Sequence, residues 1–398
     1  MQENNKTFKK GFKYRIYPNK EQEIYLAKIF GSCRFVYNRL LSDSIKEYED
    51  SKLDPTVKKK FKLSGFDMIN KLQVFKHNPE TDWLKENPTH VLQASAKNLG
   101  EAFSRFFKNK KGYPKFKSKH GKQSATFSTF SYTLKDSVLK LAKCDLPIKV
   151  KWSRDLPTDK PGQLTITKTF SGKYYVSFIC EYIPVKTAGA GIIGVDAGIT
   201  DLVTFSDGTF IPNMRCYVQR QKDLRRLQKS HSRKCKGSKN KEKSRLKLAK
   251  LHEKIASVRN DYLHKLTSKL VRENQAVAIE SLSVKNMSKN RKLAKHIMDA
   301  AWGKMRDQLK YKCIASQHCK LFLADPYYPS TQLCSDCNTR PKEKLKLGTR
   351  KWTCTNCGSI HQRDHNAAKN LENLARSHLP HIAAGINVIL TEKYIPYQ

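Results

Sequence analysis

Two pairs of cysteines near the C-terminal end constrain the fold of this chain most strongly. Cys334-x-x-Cys337 is followed by sixteen residues and then by Cys354-x-x-Cys357. This spacing is typical of a four-thiolate zinc ribbon, because each tight turn directs two sulfurs at one tetrahedral ion. The positions after the pairs, Asn338 and Gly358, carry residues that tolerate such a turn. Four thiolates leave no open coordination position, so we expect a structural zinc; two disulfides or free thiols are the alternative.

The charge of the chain indicates its partners. The 398 residues contain 77 Lys+Arg and 35 Asp+Glu, a net charge of +42. A compact protein with this charge repels itself unless a polyanion shares the complex, so we expect nucleic acid contacted at many phosphates. Acidic small molecules would require far less charge.

The composition also indicates a folded, intracellular protein. At 38% hydrophobic residues the chain can form real cores, over roughly two to four domains. No stretch approaches the roughly 18 to 20 apolar residues of a membrane span, and residues 1–13 lack the apolar segment of a secretory signal. We therefore expect a cytoplasmic, nucleoid-associated protein, where a reducing environment favours metal ligation by clustered cysteines.

The first part of the chain reads as a β domain with a helical insertion. Residues 8–17 alternate apolar and basic side chains, as a strand does, and residues 164–170 and 174–182 predict a hairpin around Ser171-Gly172. Between them, helical periodicity covers 20–49, with an interruption near Gly31, and 88–110. We expect the first strand to join the later sheet, because it has no other β neighbour nearby in sequence.

The segment from 108 to 119 is a candidate nucleic-acid contact. It carries six lysines, two aromatics and no acid, which suits a phosphate backbone with stacked bases. A solvated loop is the alternative. The candidate contacts are Lys108, Lys110, Lys111, Tyr113, Lys115, Phe116 and Lys117.

The second part of the chain begins at a flexible boundary, residues 187–191, and reads as mixed α and β. An apolar strand over 192–205 turns at Asp207-Gly208 into 209–214, and shorter strands follow at 276–279 and 320–324, around a helix over 290–312. Residues 222–250 hold 13 Lys+Arg and two acids and predict a helical hairpin with its tip at 236–238. Its candidate backbone contacts are Lys222, Arg225, Arg226, Arg233 and Lys234.

Three acids stand where acids are unusual. Asp196 interrupts an apolar strand, Glu280 ends another, and Asp364 precedes a predicted helix. Asp364 could instead be an N-cap and Glu280 a surface residue, but a buried Asp196 is costly unless a cation compensates it. Two acids on adjacent strands and a third on a nearby helix can hold two divalent ions for phosphodiester hydrolysis.

These residues lie in blocks that resemble the transposon-encoded TnpB family, which is related to the smallest type V CRISPR effectors. The blocks are Gly194-Val195-Asp196-Ala197-Gly198-Ile199, Ile279-Glu280-Ser281-Leu282-Ser283-Val284, Tyr328-Pro329-Ser330-Thr331-Gln332-Leu333-Cys334-Ser335-Asp336-Cys337 and Arg363-Asp364-His365-Asn366-Ala367-Ala368, with Tyr17-Pro18 and Gln22, Arg34-Phe35-Val36-Tyr37-Asn38 and Gly112-Tyr113-Pro114-Lys115-Phe116-Lys117 upstream. The resemblance covers nearly the whole chain except its last twenty or so residues. Asn338, where the family usually has Gly, departs from its pattern.

The resemblance implies a multidomain α+β protein with an RNase H-like (RuvC) α/β nuclease domain. It implies the following map: a β-barrel wedge domain at 1–18 and 120–186, a helical recognition insertion at 19–119, the nuclease domain at 187–325 and 360–376, a zinc ribbon at 326–359 and a tail at 377–398. Asp196, Glu280 and Asp364 would be catalytic and bind Mg²⁺, and the four paired cysteines would bind Zn²⁺. Base pairing would supply specificity while the protein holds the duplex by its backbone.

The implied function is an RNA-guided DNA endonuclease of a mobile element. It would bind a guide RNA made from the end of its own element and cut matching double-stranded DNA beside a short transposon-associated motif. Two alternatives remain open at this point. One is a transposase acting on its own element ends, although no convincing helix-turn-helix precedes residue 192. The other is a non-catalytic zinc-ribbon regulator that binds nucleic acid.

Overall fold

A computed structural model describes residues 7–53, 61, 63–109, 112–183, 189–346 and 348–383. The chain divides into two units, residues 1–183 and 184–398. This division falls close to the predicted boundary at 187–191, of which 187 and 188 lie outside the described residues. Within the described parts, no helix combines the length and apolarity that a membrane crossing demands.

The first unit is built on an antiparallel sheet. Its strands are β1 (Phe8–Tyr17), β2 (Gln123–Phe127), β3 (Tyr132–Lys135), β4 (Val138–Leu141), β5 (Lys149–Lys151), β6 (Leu164–Lys168) and β7 (Tyr174–Tyr182). The five-stranded sheet has the order β2-β6-β7-β1-β5, and β3 and β4 form a separate pair. Strand β1 lies along β7 from Phe8 opposite Tyr182 to Ile16 opposite Tyr174, so the prediction that the first strand joins the later sheet is confirmed.

The hairpin and the helical insertion are confirmed as well. Strands β6 and β7 pair around Gly172, whose φ of +82° is the conformation that glycine favours. Three helices lie between β1 and β2, namely α1 (Lys20–Leu53), α2 (Gly65–Lys76) and α3 (Thr89–Asn109), with a 3₁₀ segment at Pro79–Glu86. Their mutual core includes Val36, Leu40 and Leu99.

The predicted interruption near Gly31 is wrong. Helix α1 runs through it without a break for 34 residues. A glycine inside a helix costs only about 1 kcal/mol relative to alanine, and buried residues on both sides of it, such as Phe30 and Val36, fix the helical path.

The N-terminal motif around Gln22 has a structural role. The Gln22 side chain accepts from the Asn19 backbone N–H at 3.0 Å, while the Asn19 side chain accepts from the Gln22 N–H at 2.8 Å. Gln22 Nε2 also donates to the carbonyls of Leu146 and Pro147, both at 3.1 Å. One side chain therefore caps the start of α1 and joins it to the loop before β5.

The second unit contains a mixed five-stranded sheet. Its strands are β8 (Gly191–Ala197), β9 (Asp201–Phe205), β10 (Phe210–Pro212), β11 (Asn274–Ile279) and β12 (Lys320–Leu323), in the order β10-β9-β8-β11-β12. Strands β8, β11 and β12 are parallel, and β9 is antiparallel to β8. The single strand predicted over 192–205 is therefore wrong, because residues 198–200 reverse the chain between β8 and β9.

Helices cover both faces of this sheet. They are α4 (Cys216–Gln219), α5 (Gln221–Ser232), α6 (Lys239–Glu273), α7 (Val284–Met287), α8 (Ala294–Ala300), α9 (Trp302–Ser316) and α10 (Arg363–Ala383). On β11, Val277 and Ile279 pack in the core with α6 and α9, while Ala276 and Ala278 pack in a core with α10. Burial on both faces explains the continuous apolar run in the sequence.

The helix boundaries differ from the predictions at two places. The helix predicted over 290–312 is divided at Ala301, whose φ is +56°, into α8 and α9. Helix α10 passes residue 376, the predicted end of the nuclease domain, and continues to Ala383; residues 384–398 lie outside the described part of the chain. The basic helical hairpin is confirmed as α5 and α6, with Gly237 at a φ of +85° between them.

Helix α10 lies unusually close to β8. A Cβ built on Gly194 would lie 1.9 Å from the Ala368 carbonyl oxygen and 2.6 Å from the Glu372 nitrogen. Ala367 and Ala368 are fully buried in this contact. The small residues of two separate motifs thus bring the helix of Asp364 against the strand of Asp196. Between β12 and α10, the chain forms a small hairpin of β13 (Lys351–Thr353) and β14 (Ile360–Gln362).

Candidate metal centres

The three predicted acids lie near the carboxyl ends of β8 and β11, two inner strands of the second sheet. In the parallel register, Val195 on β8 is opposite Ile279 on β11. Asp196 and Glu280 follow these residues directly and therefore lie side by side. Asp364 is in the first turn of α10, which packs on β8. The fold therefore brings near one another acids that are each 84 residues apart in the sequence.

Burial and mutual repulsion disfavour the charged forms of these carboxylates unless a cation lies nearby. Burial first, and then the charges of Glu280 and Asp364, raise the pKa of Asp196 well above its ordinary value, while Arg363 opposes the shift. Burial also raises the pKa of Glu280, against a hydrogen bond from Ser330. Carboxylates held this way gain most from a hard divalent ion, for which oxygen is the preferred ligand. The donor set therefore fits magnesium or manganese.

Two arginines pair with Asp364, and neither was singled out from the sequence. Arg363 Nη2 lies 2.9 Å from Asp364 Oδ1, and Arg350 Nη1 lies 3.1 Å from Oδ2. Arg350 precedes β13, and its carbonyl accepts the Arg363 N–H at 2.8 Å. Among the described residues, the three carboxylates do not form a group with all ligand oxygens within 4.8 Å. The guanidinium groups of Arg350 and Arg363 hold Asp364, and Arg350 belongs to the segment that carries the four cysteines.

The four predicted cysteines converge as expected for zinc. The Sγ atoms of Cys334, Cys337, Cys354 and Cys357 all lie within 4.8 Å of one another, and the Cys334–Cys357 and Cys337–Cys354 pairs are 3.6 Å apart. Four sulfurs at about 2.3 Å from a tetrahedral ion would be separated by similar distances. All four are free thiols, so disulfides do not form here. The set fits a structural zinc with no open position.

Each Cys-x-x-Cys segment, called a knuckle below, has the predicted turn. Asn338 has a φ of +57° and donates its N–H to the Cys334 carbonyl at 2.9 Å; Gly358 has a φ of +77° and donates likewise to Cys354. The Thr339 hydroxyl and then the Asn356 amide lower the pKa of Cys337 to about 5. Burial raises the pKa of Cys334 to about 12. The half-buried Cys337 thiol is therefore more acidic than the buried Cys334 thiol.

A buried histidine supports the cluster from the side. His361 Nε2 lies 3.0 Å from Cys334 Sγ, and the ring packs on Trp352 with a centroid distance of 4.7 Å. His361, Cys334 and Asp336 also form a group of possible ligands within 4.8 Å. Since the four thiolates already complete a tetrahedron, His361 is placed to donate a hydrogen bond to Cys334.

Three polar side chains, those of Ser330, Asn366 and Asn370, connect the two centres by hydrogen bonds. Ser330 Oγ donates to Glu280 Oε1 at 2.5 Å. Asn366 Nδ2 donates to the Leu333 carbonyl at 2.6 Å, and its Oδ1 accepts the Ser335 N–H at 2.9 Å. Asn370 Nδ2 donates to the carbonyls of Ser330 and Leu333 at 2.7 and 2.8 Å. Helix α10 and Glu280 are thereby fastened to the chain that enters the first knuckle.

The lysine-rich segment of the first unit is fixed to α1. Asn38 Oδ1 accepts the Lys117 N–H at 2.7 Å, and its Nδ2 donates to the Lys117 carbonyl at 2.9 Å. The Lys117 ammonium lies 3.8 Å from the centre of the Tyr37 ring, and Tyr113 packs edge-on against Phe103 and Phe106. Lys117 and Tyr113 thus have intramolecular partners.

The other predicted contacts of this segment face solvent. Lys115 and Phe116 are exposed, and Lys108 is exposed near the end of α3. Lys110 and Lys111 lie outside the described residues. In the basic hairpin, Lys222, Arg225, Arg226 and Arg233 are exposed and Lys234 is half-buried. Of these, Arg226 also pairs with Asp223 at 3.3 Å.

Three family descriptions match the chain. Residues 176–291 match the family described as "Probable transposase", residues 302–371 match "Cas12f1-like, TNB domain", and residues 8–52 match "Helix-turn-helix domain". In the structure, the last range forms strand β1 and the single helix α1 rather than two helices joined by a turn.

Whole-length relatives carry a consistent name. A protein of Streptomyces pristinaespiralis, "Putative RNA-guided DNA endonuclease", is 39% identical over 91% of this chain and 88% of its own length. A protein of Escherichia coli K12, "Putative RNA-guided DNA endonuclease InsQ", is 33% identical over 92% of both chains. Among solved structures, a Cas12f1–sgRNA–target DNA complex resembles this chain with a TM-score of 0.48 at 13% identity, over 92% of this chain and 99% of that one.

Proposed function

This chain belongs to the TnpB family of transposon-encoded proteins, and on that premise we propose that it is an RNA-guided DNA endonuclease of a mobile element. The observation that carries the proposal is that Asp196 and Glu280 lie side by side after β8 and β11, with Asp364 in the first turn of α10, which packs on β8. The relatives in two organisms bear the name of this activity over nearly their whole length. The net charge of +42 supplies the field that a long polyanion needs.

The nuclease centre is proposed to be of the RuvC type. Asp196, Glu280 and Asp364 would hold Mg²⁺, which when bound in pairs activates a water and stabilises the leaving 3′ oxygen. The mixed sheet with acids at the ends of adjacent strands supports this assignment. In the protein itself, Ser330 donates a hydrogen bond to the Glu280 carboxylate, and ion pairs with Arg350 and Arg363 hold the Asp364 carboxylate in place.

The remaining parts are proposed to bind nucleic acid and zinc. Cys334, Cys337, Cys354 and Cys357 would hold a structural Zn²⁺. The sheet of the first unit is proposed to be a β-barrel wedge domain and its helices α1–α3 a recognition domain, over the predicted ranges. The exposed cations of 108–119 and 222–250 are proposed to contact the phosphate backbone of guide RNA and target DNA, with base pairing supplying specificity.

The test is one carboxylate-to-amide substitution with a matched control. Asp196→Asn keeps the shape of the buried side chain but removes a charged ligand, so we expect guided cleavage of a matching duplex to be lost while RNA and target binding stay within about twofold. Asp201→Asn is the control, because Asp201 lies half-buried at the start of the neighbouring strand β9. The Asp201→Asn protein should cleave at the normal rate. Undiminished cutting by Asp196→Asn would refute the assignment.

Sequencing of co-purified RNA separates the alternatives. Expression of the protein with its flanking genomic DNA, followed by a high-salt wash, should leave one RNA that ends in sequence from beyond the element boundary. A heterogeneous RNA mixture would favour a transposase that acts on its own element ends, or a non-catalytic regulator. Joining of element ends in the absence of RNA would identify the transposase.

A further inference from the structure

A small cavity lies behind Glu280 in the second unit. Its volume is about 20 Å³, and Val195, Ile279, Leu282, Trp302, Met305 and Arg306 line it together with Glu280. It therefore lies between the ends of β8 and β11 and the first turns of α9. A buried water needs about 10 to 15 Å³, so the cavity has room for one.

Two of the side chains that line the cavity each carry a buried donor with no partner in the described part of the chain. Trp302 is only 4% exposed, and its Nε1 is buried without an acceptor among the described residues. The same holds for Nε of Arg306, although Arg306 Nη1 donates to the Leu282 carbonyl at 3.3 Å. A buried donor left unsatisfied costs about 1 to 3 kcal/mol. Two such groups around one cavity indicate a shared acceptor.

The third polar group of the cavity is an acceptor. Glu280 lines it, and one of its carboxylate oxygens, Oε1, already accepts the hydroxyl of Ser330. A water molecule has two lone pairs and two protons, and buried waters commonly make about three hydrogen bonds. The lone pairs match the N–H groups of Trp302 and Arg306, and a proton matches the carboxylate of Glu280.

We infer that Trp302 and Arg306 are positioning residues, which hold one water molecule in this cavity against the carboxylate of Glu280. The water fixes the carboxylate on the cavity side while Ser330 fixes it on the other. Both residues thereby raise the affinity of the acids for a metal ion without touching the ion. Hydrogen bonds to the ligands have the same effect in other metal sites. This inference rests on the proposed nuclease function.

The experiment measures Mn²⁺ binding by electron paramagnetic resonance, with the full chain in complex with its RNA. The Mn²⁺ taken up by the Asp196→Asn complex, which reports ions on the RNA, is subtracted. Trp302→Phe removes the N–H and keeps an aromatic ring, and Arg306→Lys replaces Nε by a methylene and keeps the positive charge. Each should raise the Mn²⁺ dissociation constant about fivefold, the effect of one hydrogen bond. Met305→Leu is the control, because it conserves the volume of the same cavity wall and changes no donor.

The double variant tests whether one water is shared. Residues that act through a common partner are not additive, so Trp302→Phe with Arg306→Lys should lose no more affinity than the more severe single variant. Single variants that match Met305→Leu, or a double variant whose loss equals the product of the two single losses, would overturn the inference while leaving the proposed function intact. Equal Mn²⁺ binding by the unaltered and Asp196→Asn complexes would instead overturn both.

Discussion

Replacing Gly194 by alanine should disable the proposed nuclease centre without changing any of its acids. The added Cβ would lie 1.9 Å from the Ala368 carbonyl oxygen, whereas real Cβ atoms essentially never come within 3.0 Å of a neighbour. Strand β8 and helix α10 must therefore separate by at least 3.0 − 1.9 = 1.1 Å. The neighbouring atoms belong to backbone, so no side-chain rotation can relieve the contact.

The displacement acts on two acids at once. Asp196 lies two residues beyond Gly194, and Asp364 lies one turn before Ala368, so the strand and the helix carry their carboxylates apart. A misplacement of about 1 Å can cost a factor of about 100 in rate. Overpacking of this kind typically also lowers the free energy of unfolding by about 1 to 3 kcal/mol.

The assay is single-turnover cleavage of a matching duplex by the protein–RNA complex. We expect Gly194→Ala to cut about 100-fold more slowly, with RNA binding unchanged. Gly348→Ala is the control, because its Cβ would meet nothing within 4 Å, and it should cut at the normal rate. Cleavage by Gly194→Ala within threefold of the unaltered protein would show that α10 can move without separating the acids.

Three further substitutions test structural roles. Asp299 is buried and accepts the N–H of Tyr217 at 2.9 Å and the Arg259 guanidinium at 3.3 Å, so Asp299→Ala should lower the free energy of unfolding by about 3 to 5 kcal/mol; a loss below 1 kcal/mol in urea denaturation would contradict this. Asn38→Ala removes both hydrogen bonds to the backbone of residue 117. Trypsin should then cut that segment about fivefold faster, and an unchanged rate would show that these bonds do not hold it. His361→Phe keeps a ring for stacking but loses the contact with the cysteine cluster, so zinc should pass to a chelator about tenfold faster, and equal release would disprove the hydrogen bond.

Patterns that depend on near neighbours were predictable from the sequence. The spacing of the cysteine pairs fixes the knuckles, down to the positive φ of Asn338 and Gly358. The apolar run before Glu280 predicts a strand, and the structure has it as β11. In each case the signal lies within a few residues of the feature that it predicts.

Side-chain contacts between residues far apart in the sequence were not predictable. Nothing in the sequence shows that the ammonium of Lys117 lies over the Tyr37 ring, 80 residues earlier in the chain. Arg350 is one cation among many, and only the ribbon hairpin brings it to Asp364. The apolar run at 192–205 hides its turn, because residues 198–200 are as compatible with a strand as with a reversal.

The first turns of helix α10 leave little freedom for sequence change. Asp364 belongs to the proposed nuclease centre, and Ala368 packs against Gly194. Asn366 and Asn370 donate hydrogen bonds to the Leu333 carbonyl, just before the first cysteine pair. These demands face different sides of one helix and interleave within seven residues. Deleting a single residue here would rotate everything beyond it by about 100°, so all of these fits would fail together. Insertions and deletions should therefore be excluded from this stretch across the family, while the far end of α10 can vary in length.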